Sequence, residues 1–287
     1  MNRWIIGARI PTLPSSIVPV VVGSTLAWRH GYFSMSITAA CLLVSIFLQI
    51  GVNYANDYSD GIRGTDADRV GPRRLVASGL APARAVKMAA VLCFVIAAGI
   101  GAAVSVLHAP VMLAVGACAI VAAWFYTGGP RPYGYSGLGE LSVFVFFGLA
   151  AVLGTVYLQV KTFSGHDVAA ATAAGLLSCA MLMINNIRDL QRDKKAGKKT
   201  LAVRVGDKPS RMLFVSFLIL PVIIIFSCIR WLEFAWMVII LIPFILFAIR
   251  PVMKGAKEQE LIFVLRQTGI IQILFAVIFF GIVWLSK

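Results

Sequence analysis

The sequence predicts an all-α, polytopic membrane protein in which nine transmembrane helices surround a central cavity that opens to the cytoplasmic side. Three observations lead to this prediction. Hydrophobic residues occupy 60% of the 287 positions and charged residues only 13%, about half the charged share of an ordinary soluble domain. Nine apolar stretches approach the ~20 residues that cross a bilayer. Finally, the segments that join these stretches alternate along the chain between rich and poor in Lys and Arg.

The nine stretches cover most of the chain, so we expect a single intramembrane domain over residues 1–287. The first stretch is approached through a segment with Pro11, Pro14 and Pro19, which interrupts any signal-peptide layout and predicts a retained span. The nine stretches are residues 12–28, 36–56, 84–107, 110–126, 138–158, 167–187, 211–229, 231–249 and 266–286.

The basic residues predict the orientation of the chain. If the N-terminus lies inside, 22 of the 26 Lys and Arg residues fall in cytoplasmic segments and 4 on the opposite side. Short cytoplasmic loops accumulate Lys and Arg, so we expect a cell-membrane protein with a cytoplasmic N-terminus and an external C-terminus. The same distribution accounts for the net charge of +14. We therefore expect the lipid bilayer as surroundings, with no nucleic-acid partner and no protein partner.

Carboxylates are concentrated after two of the apolar stretches. Of the 12 Asp and Glu residues, four lie between positions 57 and 68 and three between 189 and 207. Side chains four positions apart share a helical face. We therefore expect two pseudo-repeated halves, each with one acidic cluster, near 53–68 and 185–200, turned toward one cavity. The repeated Asn-x-x-x-Asp pairs are Asn53/Asp57, Asn56/Asp60 and Asn185/Asp189, the last continuing to Asp193.

Clustered carboxylates near hydrocarbon are costly unless a cation neutralises them, so the two clusters predict a bound divalent ion. The available ligands are carboxylate and amide oxygens, with no His or Cys nearby, and such a set favours Mg²⁺ over zinc or iron. Mg²⁺ usually completes its shell with water and substrate phosphate. The predicted metal ligands are Asn56, Asp57, Asp60, Asp66, Asp189 and Asp193.

Basic residues are interleaved with these acids and suit the oxygens of a phosphate group. A diphosphate-binding site at the mouth of an apolar helical bundle indicates a polyprenyl diphosphate as substrate. Its ionisation creates a leaving group with dense negative charge. The apolar, aromatic-rich interior would shelter the resulting carbocation from water. The residues predicted to bind this substrate are Asn53, Arg63, Arg69, Arg73, Asn185, Arg188 and Lys198.

The two clusters resemble the aspartate-rich motifs of the UbiA-type intramembrane prenyltransferases. That superfamily has nine spans, needs Mg²⁺ and attaches polyprenyl chains to aromatic acceptors. Residues 55–72, 126–140 and 185–204 are similar to the 1,4-dihydroxy-2-naphthoate polyprenyltransferases of menaquinone synthesis. Gly64 stands where most members carry the last Asp of the first motif, and Asp66 follows two residues later. The residues that carry the resemblance are Asn56-Asp57-x-x-Asp60 and Asp189-x-x-x-Asp193-x-x-x-Gly197-Lys198-x-Thr200.

The resemblance implies that a polyprenyl chain is transferred to the carboxylate-bearing carbon of 1,4-dihydroxy-2-naphthoate, with loss of CO₂, giving demethylmenaquinone. Asp60 and Asp189 are then expected to be essential for catalysis. The acceptor would lie between the diphosphate-binding site and the loop after residue 126. There Arg131 would pair with its carboxylate, and Tyr126 or Tyr133 would face the ring or the cation.

Two other functions fit part of the pattern. A prenyltransferase of the same superfamily with another acceptor, such as 4-hydroxybenzoate, haem or a chlorophyllide, would carry the same motifs. An ion-coupled secondary transporter would place its carboxylates near the middle of a span. Here the acids stand at the ends of spans, and the second and sixth stretches have none near their middle, so an enzyme is favoured over a transporter.

Overall fold

The computed structural model describes residues 2–65 and 73–287, and every regular element in these ranges is helical. The all-α prediction is therefore confirmed. Asp66 and Arg69, two predicted site residues, lie outside the described residues, as does Asp68. The α-helices of the described chain are α1 Arg3–Ala8, α2 Pro14–Arg29, α3 Met35–Ile62, α4 Ala83–His108, α5 Met112–Phe125, α6 Gly139–Val143, α7 Ala151–Val160, α8 Gly165–Lys195, α9 Leu201–Val205, α10 Asp207–Ser227, α11 Ile242–Met253 and α12 Glu258–Leu285.

Shorter helical elements complete the fold. A π-helical segment, Phe144–Ala150, joins α6 to α7 and makes one continuous span with them. The 3₁₀ segments of the described residues are Ile10–Thr12, Tyr133–Ser136, Cys228–Arg230 and Ala235–Leu241.

Seven helical segments of the described chain are long and apolar enough to cross a membrane. The bent pair Arg3–Thr12 and Pro14–Arg29 makes eight when it is taken as one broken span. The fourth predicted stretch forms α5, whose 14 residues extend about 21 Å at 1.5 Å per residue, less than the ~30 Å hydrocarbon layer. The protein is a multi-pass membrane protein with seven or eight candidate spans, where the sequence predicted nine.

The 52° bend ahead of α2 has a local cause. Arg9 adopts a left-handed backbone conformation with φ of 54°, and Pro11 and Pro14 lack the N–H groups that a continuous helix would use. Asn53 of α3 then fixes this segment, because its amide nitrogen donates to the carbonyl of Ala8 at 2.9 Å. The N-terminal segment is thereby attached to the helix that carries the first acidic cluster.

α8 lies at the centre of the bundle, with α2, α7, α10 and α12 packed around it. Small residues allow such helices to approach closely. At the tightest point, a Cβ added to Gly148 would lie 2.6 Å from the Cα of Gly175, so the π-helical segment meets α8 backbone to backbone. Segments of this kind often accompany functional sites, and this contact sets the position of the chain that follows residue 138.

The two ends of the bundle differ in character. At one, α3 and α8 end, and the backbone N–H of Lys199 donates to the carbonyl of Tyr135 at 2.9 Å. We call this the polar end and define it by residues 53–65, 126–140 and 185–200. At the opposite end, the buried carboxylate of Asp167 pairs with His30 at 2.9 Å and joins α8 to α2.

Candidate functional site

A cavity of about 1280 Å³ extends from the polar end into the bundle. Most of its wall is apolar and comes from α3, α4, α5 and the span Gly139–Val160. The wall reaches Val104 and Leu158 near the opposite end of the bundle. Six basic side chains but only three carboxylates of the described residues line it, so its net charge is positive and suits an anion. They are Arg9, Arg74, Arg188, Arg192, Lys198 and Arg266, with Asp60, Asp189 and Asp193.

Asp60 joins the two motif segments across this cavity. The ammonium nitrogen of Lys198 lies 3.0 Å from its Oδ1, and the Tyr135 hydroxyl donates to the same oxygen. Two cations also contact the Tyr135 ring: Lys198 Nζ lies 4.6 Å and the Arg63 guanidinium 5.4 Å from its centroid. The end of α3, the loop after α5 and the loop after α8 therefore meet at one carboxylate.

The neighbours of this cluster determine its protonation. Burial lowers the pKa of the Lys198 ammonium, but the Asp60 and Asp193 carboxylates outweigh burial and hold that pKa above its ordinary value. Burial raises the pKa of the Tyr135 hydroxyl, and the Asp60 charge raises it further. At neutral pH Lys198 is therefore a cation, and Tyr135 is a neutral hydrogen-bond donor.

The second motif places its acids on the same cavity. Asp189 is bound by Arg188 through Nε at 2.9 Å and Nη2 at 2.7 Å, and Nη1 of Arg192 lies 3.7 Å away. Asp193 lies one turn further along α8 and also lines the cavity. Cations and acids therefore alternate along one face of α8, as a site for a metal and an anion requires.

The donor set of the cavity fits Mg²⁺. Asn56, Asp60, Asp189 and Asp193 direct carboxylate and amide groups to one space, and the Asn56 oxygen is held by the Thr127 hydroxyl, which donates to it at 2.7 Å. Within the described residues, no three Asp, Glu, His or Cys side chains are close enough to share one ion. Mg²⁺ usually takes one or two carboxylates and fills its remaining positions with water and phosphate, so these oxygens suffice.

Asp57, a predicted ligand, is turned away from the cavity. Its side chain is fully buried, and its carboxylate oxygens accept the backbone N–H groups of Leu75 at 2.8 Å and Val76 at 3.0 Å. Hydrogen bonds to a charged group contribute more than neutral ones. Asp57 therefore attaches the loop before α4 to α3, which is a structural contact that sequence spacing did not indicate.

The predicted basic residues divide into two groups. Arg188 and Lys198 line the cavity, whereas Arg63, Arg73 and Arg131 are exposed and lie outside its described lining. Arg63 instead donates to two backbone carbonyls of the segment after α5 and ties two loops of the polar end together. The exposure of Arg131 differs from the position expected for a partner of the acceptor carboxylate.

The remaining predicted residues line the cavity. The rings of Tyr126 and Tyr133 meet edge to face with centroids 5.6 Å apart, and the Tyr133 hydroxyl donates to the carbonyl of Ala122 at 2.8 Å. The amide nitrogen of Asn185 donates within its own helix, and that of Asn53 holds the N-terminal segment. These two amides therefore stabilise the cavity wall while presenting their remaining surface to it.

Sequence reasoning missed three residues of the polar end. Tyr135 lies in the same loop as Tyr126 and Tyr133, and this proximity in the sequence could have identified it as a site residue. Asn186 belongs to the second Asn-led motif, and Glu140 is the one acid of the span Gly139–Val160. An acid within an apolar span is itself an indication of function.

The model of the UbiA prenyltransferase family matches residues 16–266. The chain is 48% identical over 277 residues to the 1,4-dihydroxy-2-naphthoate octaprenyltransferase of Mycobacterium tuberculosis, covering 96% of this chain and 94% of that protein. It is 35% identical to the Escherichia coli protein of the same name, covering 92% and 94%. The fold is similar to that of an Archaeoglobus fulgidus UbiA homolog solved with GPP and Mg²⁺, with a TM-score of 0.71, 17% identity, and 99% and 100% of the two chains covered.

Proposed function

The chain belongs to the UbiA prenyltransferase family, and we propose that it transfers a polyprenyl chain from polyprenyl diphosphate to 1,4-dihydroxy-2-naphthoate in menaquinone biosynthesis. Its full-length relatives carry that activity in their names, with octaprenyl as the transferred chain. The observation that carries the proposal is the cavity, in which a positively charged polar end continues into a long apolar interior. An anionic head and a hydrocarbon tail on one molecule match those two parts.

We assign the diphosphate to the cations of the polar end. Arg188, Arg192 and Lys198 line the cavity from α8 and the loop after it, and each already faces a carboxylate. Because these cations border the cavity before the substrate binds, their charge is available to the diphosphate as negative charge develops on it.

We further propose that Mg²⁺ is the cofactor. Asn56, Asp60, Asp189 and Asp193 line one cavity and would hold it, with no more than two of their carboxylates on any one ion and the remaining positions filled by water and substrate phosphate. When bound, the ion supplies positive charge to the departing diphosphate oxygens. Asp57 is assigned to the loop contact described above, and Asp66 keeps its sequence-based assignment as a further ligand. Lys198 pairs with Asp60 and Arg188 pairs with Asp189, so a bound cation would share these two carboxylates with side chains that already contact them.

The transfer step conserves atoms and charge. The bond between C1 of the prenyl chain and the diphosphate oxygen breaks, and diphosphate leaves with the bonding electrons. The electron-rich carbon that bears the acceptor carboxylate forms the new C–C bond, and loss of CO₂ then returns an electron pair to the ring. The ring keeps both hydroxyls, so the immediate product is the quinol form of demethylmenaquinone. We assign Tyr126 and Tyr133 to the ring of the acceptor, while Phe146 and Phe147 of the cavity wall keep water from the carbocation.

We propose that the polar end faces the cytoplasm, because the 22-to-4 distribution of basic residues favours that side. A thiol-reactive, membrane-impermeant reagent tests this in a variant with Lys199→Cys on a background without native cysteines. Labelling in inverted vesicles and not in intact cells is expected. The reverse pattern would contradict the orientation.

The activity is tested with the purified full chain in detergent, Mg²⁺ and octaprenyl diphosphate, with either 1,4-dihydroxy-2-naphthoate or 4-hydroxybenzoate as acceptor. Prenylation of the naphthoate with release of CO₂ is expected. Asp60→Ala and Asp189→Ala should lose at least about a hundredfold in turnover. Glu233→Ala, which removes an exposed acid outside the cavity, is the matched control. Prenylation of 4-hydroxybenzoate alone, or wild-type rates in both Asp variants, would refute the proposal.

A further inference from the structure

Glu140 is buried in a way that the reaction described so far does not explain. Its side chain is 5% exposed, and its Oε1 accepts a hydrogen bond from Nδ2 of Asn186 at 2.8 Å. Among the described residues, its Oε2 has no hydrogen-bond partner, and Glu140 takes part in none of the ion pairs of that part of the chain. Burying a carboxyl group without full partners is unfavourable, so its presence here calls for an explanation.

Asn186 connects this buried carboxylate to the cavity. It lines the cavity wall, whereas Glu140 does not. Because Oε1 of Glu140 accepts this hydrogen bond, the contact selects the amide orientation in which Asn186 Nδ2 points toward Glu140. The carbonyl oxygen Oδ1 of Asn186 takes no part in that contact, and no described residue donates to it. The result is a fixed acceptor atom in the wall of an otherwise cation-rich site.

The surroundings match the place of the aromatic acceptor. The chain around Glu140 packs against Tyr126, whose hydroxyl lies 3.2 Å from the position of a Cβ added to Gly139. Ser142, one helical turn beyond Gly139, lines the cavity and shares a hydrogen bond with the Tyr133 hydroxyl at 2.9 Å. Asn186 Oδ1 therefore borders the space that we assigned to the naphthoate ring.

We propose that Glu140 is a positioning residue for the acceptor: it orients Asn186 so that Oδ1 accepts a hydrogen bond from the C4 hydroxyl of 1,4-dihydroxy-2-naphthoate. This inference rests on the proposed function. The C1 hydroxyl is adjacent to the carboxylate of the substrate and bonds to it internally, so the C4 hydroxyl is the donor that needs a partner from the protein. Accepting that bond also pushes electron density into the ring, which favours attack on the carbocation.

Steady-state kinetics of the purified full chain test the proposal. Glu140→Leu and Asn186→Leu should each raise KM for the naphthoate about tenfold, the value of one hydrogen bond of ~1.4 kcal/mol. KM for the prenyl diphosphate should stay within about twofold. Glu140→Gln should lie between wild type and Glu140→Leu, because a glutamine can still accept from Asn186 but can also turn its own NH₂ toward it.

A substrate analogue separates this role from a structural one. 1-Hydroxy-2-naphthoate lacks the C4 hydroxyl and should bind wild type, as a competitive inhibitor, about tenfold more weakly than the substrate. In Glu140→Leu and in Asn186→Leu that difference should disappear. The double variant should match either single variant, because the two residues act as one unit.

The matched control is Asp167→Leu, which removes a fully buried carboxylate at the opposite end of α8. It should lower thermal stability without separating the two KM values. Parallel increases of both KM values in Glu140→Leu, additive effects in the double variant, or an unchanged preference for the C4 hydroxyl would each overturn the inference. If the wild-type protein does not prenylate the naphthoate at all, both the proposed function and this inference are refuted. An active wild type with unaffected variants overturns this inference alone.

Discussion

Replacing Lys198 with methionine should convert the buried pair at Asp60 into an uncompensated carboxylate. The two side chains are 9% and 7% exposed, and Nζ lies 3.0 Å from Oδ1. Removing one partner of a buried ion pair costs about 3–5 kcal/mol, and we take about 3 kcal/mol because this pair borders a cavity. At roughly 2–4 °C per kcal/mol for chains of this size, the apparent Tm should fall by roughly 6–12 °C.

Magnesium should reverse most of this loss if Asp60 belongs to its site. A ligand at a hundred times its Kd stabilises the folded state by ~2.7 kcal/mol, close to the cost of the lost cation. In wild type the ion must displace Lys198 from Asp60, so the same addition should raise Tm less. Lys198→Met should therefore show the larger Mg²⁺-dependent increase, although it loses prenyl-transfer activity.

The assay is thermal unfolding of the purified protein in detergent, with and without Mg²⁺. Lys199→Met removes the neighbouring, exposed lysine and should change Tm by less than about 1 °C. Since the pKa of Lys198 lies above its ordinary value, the pair stabilises fully below the ordinary lysine pKa and is lost as pH rises through the raised value. The difference in Tm between wild type and Lys198→Met should thus be constant from about pH 7 to pH 9. Equal Tm values for wild type and Lys198→Met, or equal responses of both to Mg²⁺, would refute the reasoning.

Three further outcomes are expected. Asp57→Ala removes two hydrogen bonds to a charged group, worth roughly 3–6 kcal/mol together, and should lower Tm by at least about 6 °C. The Mg²⁺ concentration for half-maximal activity should stay unchanged, and a shifted Mg²⁺ requirement would make Asp57 a ligand. Gly148→Ala should destabilise the fold, because its Cβ meets backbone at 2.6 Å, whereas Gly154→Ala, with its nearest atom at 3.8 Å, should be neutral in the same Tm measurement. Tyr135→Phe removes the hydroxyl donor to Asp60 but keeps the ring, so turnover should fall about tenfold with Tm nearly unchanged; wild-type turnover would show that this bond is dispensable.

Local patterns in the sequence carry much of the fold. Apolar length predicts membrane helices because the bilayer imposes a length on any helix that crosses it. That reasoning counted nine stretches, and each contains a helix, yet α5 is too short to pass the same length test. The count failed there because a stretch can be apolar throughout while its helix ends early. Here α5 ends at Phe125, before the glycines of the next loop.

The sequence predicted which types of residue form the candidate site, but not which individual side chains face the cavity. Spacing along a helix identifies which acids share a face, and the acids at Asp60, Asp189 and Asp193 do line one cavity. Spacing does not distinguish Asp57 from Asp60, because the backbone groups that bind Asp57 come from residues 75 and 76. The exposure of Arg131 likewise depends on how its loop packs.

By itself, the sequence determined the all-helical membrane class, the two acidic motifs and the resemblance to one family, since these follow from composition, length and local order. Only the tertiary structure decided which oxygens face the cavity, that Tyr135 and Lys198 share Asp60, and that Glu140 stands behind Asn186. Those contacts join residues 46 to 138 positions apart. Partners so distant are selected by the packing of whole helices and loops, and no spacing rule within one helix reaches them.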